Sequence, residues 1–150
     1  MTVGATEPAQ DALGPIDFIV VEFPDGVVTS GGFEQLLELA DRGVVRVLDV
    51  EFVVKDADGV RAAEISELAC DPGLDAALWH GASSHLLDDE DRTAIGAEMA
   101  EGSVAVAVVF ENLWVLGLVE QWSATGARLL LDGAIPVADL LDALDASETA

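Results

Sequence analysis

Four polar side chains stand where they could act together: Glu22, Asp25, Glu111 and Asn112. Glu22 lies near the end of the apolar run PIDFIVVEF (15–23), and Glu111–Asn112 breaks the run VAVAVVFENLWVLGLV (104–119). If the two runs are parallel neighbouring strands, their ends share one rim beside two helix N-termini. Ligands settle at such rims in parallel α/β arrangements. The carboxylates there could hold a cation or a small polar ligand, or serve a minor hydrolase. A plainer reading covers the same residues: Asn112 caps the next helix, and a carboxylate beside a helix start is stabilised by the helix dipole.

The other groupings are weaker. His80 and His85 lie in one segment with Cys70 upstream, but structural zinc sites need four ligands in tight pairs. No metal site is expected, and Cys70 reads as a small apolar residue. Asp56-Ala57-Asp58-Gly59 opens like a calcium loop without its later ligands, and Asp58-Gly59 is explained by a hairpin turn. Ser83 and Ser84 stand beside His85 with no orienting acid, so no triad follows. Asp88–Asp91 is an acidic helix start. With no phosphate-cradling or nucleophile-elbow motif in the chain, the expectation is a non-enzymatic protein without a cofactor.

Composition narrows the partners. Six Lys and Arg face 29 Asp and Glu, a formal net charge of −23. Such a surface repels phosphate backbones and anionic lipid heads, so no nucleic-acid partner is expected. The 150 residues are 51% apolar, enough for a real core. A single cysteine rules out an internal disulfide and fits a reducing compartment. Residues 1–13 carry no Lys, Arg or apolar run, so they read as a disordered tail rather than a secretory signal, and a cytoplasmic location is expected. A spanning helix needs about 20 apolar residues; the 104–119 run is shorter and broken by Glu111 and Asn112, so no stable membrane insertion is expected.

The elements that must position these residues follow from pattern. The run 15–23 is bounded by Gly14-Pro15 and Pro24-Asp25-Gly26 and reads as a central strand. Ser30 precedes a helix with Phe33, Leu36, Leu37 and Ala40 on one stripe, stopped by Gly43. Residues 44–56 form a long strand, returning through a hairpin as 60–68. Asp88 caps a helix to about Glu101, the strand 103–110 follows, then a helix 112–125 ended by Gly126. A last strand (127–133) and a helix opened by Pro136 complete a single domain over 14–146, with 147–150 frayed. Two β-α-β halves, each ending in a Gly-x-x-Arg or Gly-x-Arg run, predict an α+β, ferredoxin-like split βαβ plan with an inserted hairpin strand and helix and a C-terminal helix. In that plan the first strands of the halves lie side by side and parallel at the sheet centre.

Specific motifs support the plan. Gly14-Pro15-Ile16-Asp17-Phe18, the segment Arg46-Val47-Leu48-Asp49 through Lys55-Asp56-Ala57-Asp58-Gly59, and Phe110-Glu111-Asn112-Leu113-Trp114 resemble a family of bacterial proteins of unknown function over about residues 14–145. Ala134 stands where that family usually has a basic residue. The resemblance implies a ferredoxin-like fold and names no activity.

One question remains for the sheet. The strands at 15–23 and 103–110 are apolar on both faces, while Asp49 and Glu51 interrupt one face of 44–56. A two-layer domain covers one sheet face with helices. The other must be covered by the 88–101 helix, by the last helix, or by another subunit. A homodimer packed through Ile19, Val21, Val45, Val47, Ala107 and Val109 is the expected answer, with Trp114 or Trp122 as a second anchor if exposed.

Overall fold

In the computed structural model, residues 13–130 and 141–145 are described. Residues 1–12 of the expected N-terminal tail, residues 131–133 of the last strand, the opening of the Pro136 helix and the frayed end lie outside these residues. The chain clusters into two compact units, Met1–Gly117 and Leu118–Ala150.

The first unit is built on strands β1 (Ile16–Phe23), β2 (Val27–Val28), β3 (Val45–Asp56), β4 (Gly59–Ala63), β5 (Ala69–Cys70) and β6 (Val104–Asn112). Its helices are α1 (Gly31–Asp41), a short α2 (Ala76–Trp79) and α3 (Asp89–Ala97); α4 (Leu113–Ser123) begins directly after β6. The main sheet has the order β1-β6-β3-β4 and is antiparallel throughout. The fold is therefore α+β with a four-stranded antiparallel sheet. The expected parallel pairing of 15–23 with 103–110 is corrected: the two are neighbours, but they run antiparallel, Ile16 opposite Glu111 and Phe23 opposite Val104. β6, not β1, sits at the centre, flanked by β1 and β3.

Local chemistry explains the elements. A main-chain bond from Asn112 N to the Pro15 carbonyl (2.8 Å) and a bond from the Gly14 amide to the Glu111 carboxylate (2.8 Å) fix the start of β1. Gly14 passes so close to the Asn112 carbonyl that a Cβ would collide with it. Ser30 stands at the N-cap of α1, but its hydroxyl bonds Asp71 (3.0 Å) rather than the helix. Gly43, at φ +72°, ends the segment after α1 in a conformation that favours glycine. Asp88 does cap α3, its Oδ1 accepting from the Asp91 amide at 2.8 Å. β4 stops at Ala63, and the hairpin turn falls one residue early, since Asp56 pairs with Gly59.

Both faces of the sheet are partly covered. On one, Val104, Val106 and Val108 pack with Val50, Phe52, Phe33 and Trp79, and Phe33 meets the Trp79 ring edge-on at 5.0 Å. On the other, α3 brings Met99 and Ile95 against Val53 and Ala105, with Gly96 close enough to Val60 that a Cβ there would clash. The inserted helix is thus one of the covers that the second face needed. Lys55, the chain's one lysine, stops α3 by donating to the carbonyls of Gly96 (2.8 Å) and Met99 (2.9 Å). The Gly96 carbonyl also accepts from Met99 N at 3.1 Å, so the ammonium adds a second donor where the helix ends. Lys55→Met is expected to lower stability by about 1–3 kcal/mol, the worth of hydrogen bonds to a charged group, read as a lower urea midpoint.

In the second unit, residues 127–130 form no strand. They line a hollow with Val119 and Trp122, and residues 141–145 are helical. Among the described residues, no helix is long and apolar enough to cross a membrane.

Candidate functional site

The rim expected of Glu22, Asp25, Glu111 and Asn112 does not form, because the strands are antiparallel. Glu22 lies opposite Ala105 and Glu111 opposite Ile16, about 20 Å apart along the ladder. Each acid serves its own end. Glu22 accepts from the Ala100 amide (2.8 Å), which holds its carboxyl below the usual range. Asp25 accepts from Val27 N within its own turn. Glu111 is only 1% exposed; its Oε2 accepts from Gly14 N (2.8 Å), while Oε1 lies 3.6 Å from Arg46 Nε and makes no hydrogen bond. The Asn112 side chain donates to Asp17 (2.8 Å) and to the Pro15 carbonyl and accepts from the Trp114 indole. It anchors β1.

The six expected interface residues also part company. Ile19, Val21, Val45 and Val47 share the α1 face, while Ala107 and Val109 lie on the α3 face. A register shift between Val47 and Asp49 changes the parity of β3 at that point, and a one-residue slip moves side chains to the opposite face. Val45 and Ala107 are buried.

Beyond the end of β4, the segment 82–87 takes over as the neighbour of β3, with Val50 N donating to Ala82 O. Two buried acids hold it there. Asp49, 1% exposed, accepts from Ser84 N (2.6 Å) and Leu86 N (3.3 Å); Glu51, 5% exposed, accepts from Leu87 N (3.0 Å) and faces Arg92 at 3.8 Å. The clamped segment borders a polar cleft of about 210 Å3 that includes Glu51, Glu64, Glu67, Ser83, His85 and Arg92. His85 adopts a left-handed φ of +55°, uncommon outside glycine. Its Nδ1 lies 3.4 Å from Ser83 Oγ, and no carboxylate orients the ring among the hydrogen bonds of the described residues, so a triad is not assembled. Among the described residues, no group of three or more His, Cys, Asp or Glu is arranged to hold a metal ion.

Burial raises the Glu51 carboxyl above the usual range, and its contact with Asp49 adds to the rise. A carboxyl that keeps its proton longer in the folded chain stabilises the fold at acid pH, and that contribution is lost as pH climbs through the raised value. Glu51→Gln removes this loss. The variant's stability advantage over the native chain is expected to be larger at pH 8 than at pH 5; urea midpoints at the two pH values check it.

In the sequence, Asp49 and Glu51 stand out only as interruptions of an apolar strand. That was the available signal, since two acids spaced i, i+2 inside a buried strand need main-chain donors. Arg92 gave none, because its place beside Glu51 depends on where α3 packs.

An apolar groove of about 410 Å3 opens on the α1 face, lined by Ile19, Val21, Phe33, Leu36, Val106 and Phe110 among others, with no charged side chain in its wall. β1 is exposed on the α3 face as well, where Phe18 is 71% exposed.

One family, described as a family of unknown function (DUF6325), matches residues 12–150. No curated protein and no solved structure matches the chain.

Proposed function

The chain belongs to this family of unknown function, and on that premise we propose that it is a non-enzymatic association domain, burying the apolar surface around β1 against a second copy or another protein. The observation that carries this reading is the uncharged groove beside Ile19 and Val21 in a chain of net charge −23. Contiguous apolar surface on a soluble domain marks an interaction site, and here it is also the place where two acidic surfaces repel least. Trp114 and Trp122 are exposed as well, and tryptophan is a frequent interface anchor. The β-α-β-β-α-β order of β1, α1, β3, β4, α3 and β6 supports kinship with the ferredoxin-like plan, with the strand order rearranged.

Absolute mass by light scattering on tag-free protein, at low and high salt, tests the reading. A dimer or larger assembly is expected, and Val21→Glu should reduce it to monomer while circular dichroism stays unchanged. A native chain that is monomeric under both conditions would overturn self-association. A second reading, a small-ligand domain, moves from the divided Glu22/Glu111 rim to the cleft at Glu51; thermal stabilisation by micromolar divalent cations or small amines would favour it.

A further inference from the structure

The sequence of β1, IDFIVVEF, is that of a strand with neighbours on both sides, apolar on both faces. In the sheet it has one neighbour, β6. The Pro15 carbonyl accepts from Asn112 N, so residue 15 faces β6. Main-chain direction alternates along an antiparallel strand, so Asp17, Ile19, Val21 and Phe23 also face β6. Ile16, Phe18, Val20 and Glu22 then point their main-chain groups away from the sheet. Among the described residues, no main-chain bond meets this outward row.

Natural edges are usually blunted by shortness, charge, proline or a bulge. The other edge, β4, is five residues long and carries Arg61, paired with Glu67 at 3.1 Å. β1 has eight residues, continuous pairing with β6, and no charge from Phe18 to Val21. Its two acids are engaged by their own chain, Asp17 by Asn112 and Glu22 by Ala100.

Resting on the association reading above, we propose that the partner is a second copy of this chain, and that the two β1 strands pair edge to edge, antiparallel about a two-fold axis at Ile19, into one continuous eight-stranded sheet. A two-fold contact must be self-complementary, and this strand is. Only outward residues can exchange hydrogen bonds, so even-numbered positions pair with even-numbered ones. Asp17 therefore never faces Glu22 of the other copy. One register gives all four outward residues a partner within the strand: Ile16 with Glu22, Phe18 with Val20, and the reverse, with Ile19 opposite its own copy. A different chain drawn in by charge would need acids to meet on the central residues, and they have none.

The test uses the full chain with Cys70→Ser, so that introduced thiols stand alone. Ile19→Cys places two cysteines across the axis in a non-hydrogen-bonded pair, with Cα atoms about 4.5 Å apart, inside the range a disulfide spans. A covalent dimer is expected on mild oxidation, and none from Val21→Cys, which would face Asp17. Val20→Pro removes an outward amide and leaves the β6 bonds in place, as proline tolerates an edge; loss of the dimer from a folded monomer is expected. A native dimer that survives Val20→Pro and fails to cross-link at Ile19 would overturn edge pairing while leaving association standing. A native chain monomeric at every salt and concentration would overturn both, and protected Phe18 and Val20 amides in that monomer would assign the edge to another segment of the chain.

Discussion

Asp49→Ala is expected to cost the fold about 2–3 kcal/mol, the scale of losing hydrogen bonds to a buried charged group. Asp49 is 1% exposed and accepts from the amides of Ser84 and Leu86. Alanine leaves both donors without their acceptor and an unfilled space beside β3. The cost is limited because the 84–86 segment lies near solvent and water can replace part of what is lost. The damage should be local as well as global: exchange at Ser84 and Leu86 should quicken before the sheet unfolds, since a segment held by few contacts opens at a lower free energy than the core. Asp49→Asn keeps one acceptor and should cost less. Urea unfolding with amide exchange measures both effects. Native protection at Ser84 in the alanine variant would mean that the segment is held by something other than this carboxylate.

Glu111→Ala is expected to cost about 2–4 kcal/mol, from a lost charged hydrogen bond and the cavity left by a buried side chain. Glu111 is the side chain that ties the entry of β1 to the far end of β6, through Gly14 N at 2.8 Å. Its Oε1, buried and lacking a hydrogen bond, faces the Arg46 guanidinium. Arg46→Ala should therefore destabilise through an uncompensated buried carboxylate, and Glu111→Gln should abolish most of that penalty in the double variant. A double-mutant cycle reads the coupling. Additive losses would show that the 3.6 Å approach contributes no interaction energy.

Much of the fold was legible because local patterns and the tertiary structure agree. The apolar runs at 15–23, 44–56 and 103–110 are strands, Phe33 with Leu36 and Leu37 marks the packed stripe of α1, and Asp88 caps α3. The cysteine, at 70, is partly buried, and burial raises its thiol pKa. The candidate site was legible only in fragments. Glu51, Ser83 and His85 could each be noticed in the sequence, but not as one cleft, because 36 residues separate Glu51 from Leu87 and chain spacing carries no information about such a meeting.

The sequence by itself determined the three long strands and the helices at 31–41, 89–97 and 113–123, that the chain is strongly acidic, and that β1 is apolar on both sides. These depend on side-chain period, composition and capping, which are local. The tertiary structure decided strand direction, the order β1-β6-β3-β4 and the parity change between Val47 and Asp49. Apolar strands can bury similar surface in either direction, so their pattern does not choose between parallel and antiparallel neighbours. That choice separated Glu22 from Glu111, divided the expected interface between two faces, and left a strand with a central pattern standing at an edge.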